Sequence, residues 1–377
     1  MKILSLSNVP MEPYLGSGKT RLAWTNGLRK LGHQVTVLQP VDFIFMPKFN
    51  KAKKFRIAIG VFLKVKNLLK KEDFDLIEFY GDEYWLLLLW LKKIKRKAPL
   101  LTAHADGIEL LDFEKEQQFW NKRTGFKRIY FFNTHYRLSM LTFKLADKFV
   151  CGCSDDLQYV IDRKIFKTED AVYVSPGIDD FFQTLPFIKV KNNVIIFLGS
   201  WIGRKGTRII PFVLESVLTL LPQFEFHVYG AWHNKSEILS KFSPQIADRV
   251  KVFDKVLLEE VINALKVSKI FFFPTYSEGF GLATAEALSC STAVVTTKTG
   301  LGSELKNEEN ALICEFDDVE GMKNALLKLA SNEVLRNRIC KNGYEFVKRY
   351  HWETQVNLLN NYYSKWVADL PVVRVGK

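Results

Sequence analysis

Phe271-Phe272-Phe273-Pro274-Thr275-Tyr276-Ser277-Glu278-Gly279-Phe280-Gly281-Leu282-Ala283-Thr284-Ala285-Glu286-Ala287-Leu288 is the stretch that organises the rest of the chain. Three consecutive phenylalanines make a strand buried on both faces, and Pro274 ends it because proline cannot donate to a sheet ladder. A loop carrying Glu278 follows, and the Ala- and Leu-rich run after Gly281 reads as a helix. Open α/β sheets bind ligands beyond the carboxyl ends of their strands, which is where this loop falls. Gly279 and Gly281 lack side chains, so backbone N–H groups and a helix start can come close to an anion.

Glu286 lies just over one turn into the helix, and its two oxygens suit the vicinal hydroxyls of a ribose. Glu278 can reach a second polyol on the far side of a diphosphate. A carboxylate at each end of such a turn is what a nucleotide sugar requires. A plainer reading competes: Ser277 and Glu278 cap the helix, and Glu286 is a surface residue.

Outward from this stretch, apolar β-rich runs alternate with helical-period segments from end to end. Strands are expected at 3–7, 34–38, 76–79, 99–104, 149–152 and 172–174. A second set is expected at 194–198, 225–229, 250–253, 270–274, 293–297 and 311–314. Strands separated by helices mean βα units and parallel sheets covered on both faces. The pattern breaks around Pro186 and the polar stretch Lys189–Asn193. The fold class is therefore α/β, with two tandem Rossmann-like doubly wound domains, 1–185 and 190–354, facing across a cleft. The end of the chain, from about residue 355 to 377, is expected to return as a helix to the first domain.

The 377 residues carry 54 Lys and Arg against 41 Asp and Glu, a net charge of +13, with 30 phenylalanines. An apolar share of 47% excludes intrinsic disorder, and the basic, aromatic balance points to an anionic partner. Residues 1–186 hold 30 of the basic and 21 of the acidic residues. Within them, Lys48–Lys71 has nine basic residues, no acid, and interleaved Phe55, Ile57, Ile59, Val61, Phe62 and Leu63. Lys122–Lys148 mixes Lys122, Arg123, Lys127, Arg128, Arg137, Lys144 and Lys148 with Phe126, Tyr130, Phe131 and Phe132. Basic amphipathic helices of this kind bind anionic lipid surfaces, and a solvated face packing its other side on a sheet is the alternative. The longest apolar run, Trp85–Leu91, is far short of the roughly 20 residues that span a bilayer. With no secretory signal and five cysteines lacking metal spacing, the expectation is a cytoplasmic protein, peripheral on the membrane's inner face.

Several motifs fail on spacing. Gly18-Lys19-Thr20 lacks the earlier glycine of a phosphate-binding P-loop, since Pro13 stands there. Asp73-Phe74-Asp75 has no partner ligand, and the six histidines form no pair at metal spacing. No nucleic-acid recognition motif accompanies the charge.

Ser277-Glu278-Gly279-Phe280-Gly281-Leu282, with Glu286-Ala287 following, resembles the signature of glycosyltransferase family 4, of the GT-B fold. Other stretches are similar to that family in the same order. They are Gly16-Ser17-Gly18, matching that family's first glycine-rich loop, Leu31-Gly32-His33-Gln34-Val35-Thr36-Val37, His104-Ala105-Asp106-Gly107 and Pro176-Gly177-Ile178-Asp179. Phe197-Leu198-Gly199-Ser200 with Arg204-Lys205-Gly206, and Gly300-Leu301-Gly302-Ser303-Glu304 with Asn310-Ala311-Leu312-Ile313, continue it. The resemblance implies a retaining transferase that moves a sugar from a nucleotide-sugar donor to a glycan or lipid-linked acceptor hydroxyl, in cell-envelope polysaccharide synthesis, without a metal or other cofactor.

The resemblance also implies roles. His104 and Glu278 are the catalytic candidates. Gly16, Gly18, Arg204, Lys205, Glu278, Gly279, Phe280, Gly281, Leu282 and Glu286 are the donor-binding ones. Lys205 and Arg204 stabilise the departing diphosphate in place of a metal ion. Ser200 stands where most relatives carry arginine, which leaves Arg204 to supply that cation. An epimerase or hydrolase of nucleotide sugars, and a catalytically silent basic module holding lipid, are the alternatives on the same architecture.

Overall fold

The computed structural model describes residues 1–12, 16–49, 51–94, 99–189, 191–254 and 256–370. Pro13, Val190 and the expected end of the last helix at 371–377 lie outside the described residues. The chain divides into two compact units. One comprises Met1–Phe113, Arg123–Gly177 and Trp352–Lys377; the other comprises Glu114–Lys122 and Ile178–His351.

The first unit contains β1 (Lys2–Ser7), β2 (Gln34–Leu38), β3 (Leu76–Tyr80), β4 (Leu100–Ala105), β5 (Lys148–Cys151) and β6 (Ala171–Tyr173). They pair in parallel in the order β2-β1-β3-β4-β5-β6. The second contains β7 (Asn192–Leu198), β8 (Glu225–Tyr229), β9 (Val250–Phe253), β10 (Ser268–Phe273), β11 (Ala293–Thr297) and β12 (Leu312–Cys314). Their order is β12-β11-β10-β7-β8-β9, again all parallel. Each strand lies within two residues of its expected position. The doubly wound α/β class read from the alternating pattern is the class observed.

Continuous apolar runs explain why these segments are central strands. β3, β4 and β11 are buried at every position. In the first unit one core lies on each face of the sheet. One face packs Ile57, Val61, Val65, Leu87, Leu88, Leu91 and Phe143 against the strands. The other packs Trp24 and Leu28, from the helix Gly16–Lys30, with Val356, Leu359, Tyr363 and Trp366, from the helix Trp352–Ala368. These two helices approach closely because residue 27 is glycine; a Cβ there would sit 2.4 Å from a Val356 methyl carbon. The second unit has a single large cluster through Phe197, Phe271, Phe273, Val294 and Leu326.

One expectation needs correction. Gly16–Gly18 does not form a loop but the first turn of the helix Gly16–Lys30. The missing side chain at Gly18 admits the incoming chain, since a Cβ would meet the Pro10 carbonyl at 2.5 Å.

Leu359 is fully buried between the last helix and the sheet. Leu359→Ala is expected to destabilise the first unit by roughly 2–5 kcal/mol. Urea titration followed by circular dichroism checks this; an unchanged midpoint would mean that the last helix contributes no packing.

Candidate active site

In the second unit, with β7 as its first strand, the sheet order is 3-2-1-4-5-6, reversing between β7 and β10. Connections from these neighbours leave to opposite faces, so a crevice opens beyond their carboxyl ends. The loops that line it are the ones singled out in the sequence. After β7 the chain passes Gly199 and Ser200 to the short turn Gly203–Lys205 and then Gly206. Gly206 is left-handed at φ +74°, and a Cβ would lie 2.0 Å from the Pro274 carbonyl oxygen, so only glycine fits.

This contact stitches the two loops together. The Tyr276 N–H donates to the Arg204 carbonyl at 2.9 Å, and the Arg204 guanidinium donates to the Ser277 carbonyl at 3.2 Å. Lys205 Nζ pairs with Glu278 Oε1 at 2.5 Å, and the Thr275 hydroxyl donates to the same oxygen at 2.9 Å. The ammonium also lies over the Phe273 ring, 4.9 Å from its centroid. Burial pushes the Glu278 carboxyl up. The Lys205 and Arg204 charges and the two hydrogen bonds outweigh it and hold the group below the ordinary carboxylate range. Glu278 is thus a buried, ionised carboxylate facing two cations.

Gly281, at φ +92°, caps the helix Leu282–Ser289. The first N–H groups of a helix have no partner in its own ladder, so the Leu282 end presents donors at the crevice. Glu286 is half-buried one turn further on. Phe280 is buried and packs edge-on against Tyr350 with centroids 5.1 Å apart, and its carbonyl accepts from the Leu301 N–H. Arg204, Lys205, Glu278, Gly279, Phe280, Gly281, Leu282 and Glu286 therefore all belong to the loops and helix start at one strand-order reversal.

Gly16, Gly18 and His104 belong to the first unit. His104 is the penultimate residue of β4 and is buried. The Tyr363 hydroxyl donates to Glu78 Oε2 at 2.5 Å and lies 2.5 Å from His104 Nε2. The Tyr363 hydroxyl thus bridges the Glu78 carboxyl and the His104 ring. Burial, reinforced by the Arg21 charge, pushes the imidazole down to about 3. The ring is therefore neutral, and its 3.7 Å approach to Glu78 is not an ion pair. Among the described residues no group of three or more His, Cys, Asp or Glu is arranged to hold a metal ion.

Two family profiles divide the chain between them. "Glycosyltransferase Family 4" matches residues 16–180, and "Glycosyl transferases group 1" matches 181–346. The chain is a glycosyltransferase of the GT-B fold. It is similar to an uncharacterized glycosyltransferase of Methanocaldococcus jannaschii, with 23% identity over 85% of this chain and 84% of that one. It is also similar to the Escherichia coli UDP-Gal:alpha-D-GlcNAc-diphosphoundecaprenol alpha-1,3-galactosyltransferase, 22% identical over 76% of each chain. Among solved structures, sucrose-phosphate synthase of Thermosynechococcus elongatus shares the fold at a TM-score of 0.77. Its identity is 16%, with 98% of this chain and 100% of that chain covered.

The structure of this glycosyltransferase adds residues that the sequence reading missed. Arg21 is buried and donates to the Ser7 hydroxyl at 2.8 Å and to the side-chain Oδ1 of Asn8 at 2.9 Å, and pairs with Asp106 at 3.1 Å. Asn8 in turn donates to Glu83 at 2.9 Å. Arg21 thereby ties the loops after β1, β3 and β4 at the carboxyl ends of these strands. A local signal exists for Ser7 and Asn8, which lie within 14 positions of Arg21, but not for Asp106, 85 positions away. Glu78 and Tyr363 had no such signal, because their partners lie 285 positions apart in the chain.

The His104 environment fixes a pH response. Unfolded His104 takes up a proton below about pH 6.5, and folded His104 only near pH 3, so its burial costs stability as pH falls through that window. The unfolding free energy of wild type relative to His104→Gln is expected to drop by up to about 1.4 kcal/mol per pH unit between 6 and 4. Urea titrations across that range measure it, and parallel profiles would refute a neutral buried imidazole.

Proposed function

We propose that this enzyme is a retaining, metal-independent glycosyltransferase. It takes the sugar from a nucleotide-sugar donor held by the second unit and passes it to a lipid-linked or polysaccharide hydroxyl in cell-envelope glycan synthesis. The observation that carries the reading is the Lys205–Glu278 pair at the strand-order reversal, beside the start of the helix Leu282–Ser289. As the bond from the sugar's anomeric carbon to the phosphate oxygen breaks, negative charge builds on the leaving diphosphate. Lys205, Arg204 and the helix-start N–H groups are fixed where they can take up that charge without reorganising. The acceptor oxygen bonds to the anomeric carbon on the face that the phosphate leaves, and its proton passes to a phosphate oxygen. Glu278, kept ionised, accepts from sugar hydroxyls, and Glu286 from the ribose. His104, in the first unit, carries a neutral imidazole. A lipid-linked acceptor is supported by the E. coli relative, whose named substrate is a diphosphoundecaprenol.

Glu278→Gln keeps the shape and removes the charge. Its transfer rate is expected to fall by about 10²-fold or more. The assay follows product from whichever UDP, GDP, ADP or dTDP sugar raises the wild-type melting temperature, with anomeric configuration read by proton NMR. Undiminished turnover, or an inverted product, contradicts the reading.

The acceptor's lipid character is favoured by a second observation. In the helix Gly125–Phe131, Phe126, Ile129 and Tyr130 are exposed, at 79%, 61% and 50%, beside Lys127 and Arg128. In the basic stretch 48–71, the helix Lys53–Leu68 exposes Ile59 and Leu63. No described helix is long and apolar enough to cross a membrane. These faces fit peripheral binding to an anionic lipid surface. Sedimentation with phosphatidylglycerol vesicles is expected to pull the protein down at low salt. The Phe126→Ser, Ile129→Ser double variant should bind roughly tenfold more weakly, since it buries less apolar surface; equal binding would remove the helix from the membrane face.

A further inference from the structure

Residues 114–122 pack with the second unit, although the chain on either side of them belongs to the first. They include one turn of π-helix, Glu116–Trp120, whose aromatic side chains meet Tyr276 of the donor loop. Phe119 stacks on the Tyr276 ring with centroids 5.1 Å apart, Trp120 stacks on it at 5.3 Å, and Phe316 leans on it at 5.8 Å. Lys115 Nζ donates to the Tyr276 carbonyl at 2.8 Å, and the Tyr276 hydroxyl donates to Asp317. Tyr276 is thereby fixed at its ring, its carbonyl and its hydroxyl. Its N–H holds the Arg204 carbonyl, and Glu278 lies two residues further on.

The same turn also sets the other loop. A Cβ on Gly203 would lie 2.7 Å from Trp120 Cδ1. Gly203 is not among the left-handed glycines, so its backbone does not demand glycine. The room needed by Trp120 does. Phe119 and Trp120 are half-buried and belong to none of the hydrophobic cores. Their contacts are with the loops, not with the body of the unit.

We propose that Trp120 and Phe119 are positioning residues for sugar transfer: they press Tyr276 and Gly203 together so that Glu278 and Lys205 hold the geometry that the donor diphosphate requires. The proposal rests on the reading of the 203–206 and 275–281 loops as the donor site. Its physical basis is that a loop residue gripped on every side transmits its position to its neighbours, whereas displacement of a catalytic group by about 1 Å costs as much as 10²-fold in rate.

The test has two arms. In hydrogen–deuterium exchange of the full chain, Trp120→Ala should speed amide exchange in 203–206 and 275–279 by about tenfold or more, with β7 and β10 unchanged. In the transfer assay, Trp120→Ala should lower kcat by roughly 10- to 100-fold with acceptor KM unchanged, and Trp120→Phe should restore most of it. Gly203→Ala should have a similar effect in wild type and little further effect in Trp120→Ala, because the residue it would collide with is gone. Unchanged loop exchange, or additive Gly203 and Trp120 effects, overturns the proposal. If none of UDP, GDP, ADP or dTDP binds wild type, the donor-site reading fails, and the exchange arm still decides whether this turn fixes the two loops.

Discussion

Everything in the second unit follows from one reversal of strand order. β7 and β10 are neighbours, yet the chain leaves them in opposite directions across the sheet, so the loops beyond their ends separate and leave a crevice. The sequence then ties the two loops together across that crevice. Gly206 lets its loop touch the Pro274 carbonyl, and the backbone bond from Tyr276 to Arg204 holds the loops in register. Lys205 and Glu278 are what this arrangement brings face to face. A buried pair of this kind contributes little to net stability, because desolvation offsets the attraction. Its retention at the mouth of a switch point makes sense as preorganised charge.

The first unit applies a related constraint with different chemistry. Its sheet order also reverses, between β1 and β3, and the loops there are joined by Arg21 through Ser7, Asn8 and Asp106. Beneath them lies a polar layer: Glu78, Tyr80, His104 and Tyr363, all buried. Burial raises Glu78 and the two tyrosines and lowers His104, so each shift favours the neutral form in a region short of water. The last helix completes this layer through Tyr363, which makes that helix part of the His104 environment.

The fold was legible because it is written in local pattern. Runs such as Phe271–Phe273 and Val194–Leu198 are apolar throughout, and the breaks between them are long enough for helices. Much of the candidate site was legible for a similar reason, since Glu278, Gly281 and Glu286 are close in sequence. What local pattern could not carry were contacts between distant segments. Nothing around Phe119 and Trp120 announces that they meet Tyr276, and Gly203 reads as a turn residue until its neighbour is known. Gly16–Gly18 misled in the other direction. Two glycines in three residues look like a loop, whereas here they start a helix and leave room for a crossing chain.

On this reading a diphosphate sits between Lys205 and the start of the helix Leu282–Ser289. A crystal structure of the protein soaked with UDP, GDP or ADP is the decisive measurement. Phosphate oxygens are expected within about 3 Å of Lys205 Nζ and of the backbone N–H groups at the helix start, with a ribose hydroxyl on Glu286. Phosphates bound elsewhere, with the Lys205–Glu278 pair untouched, would contradict it.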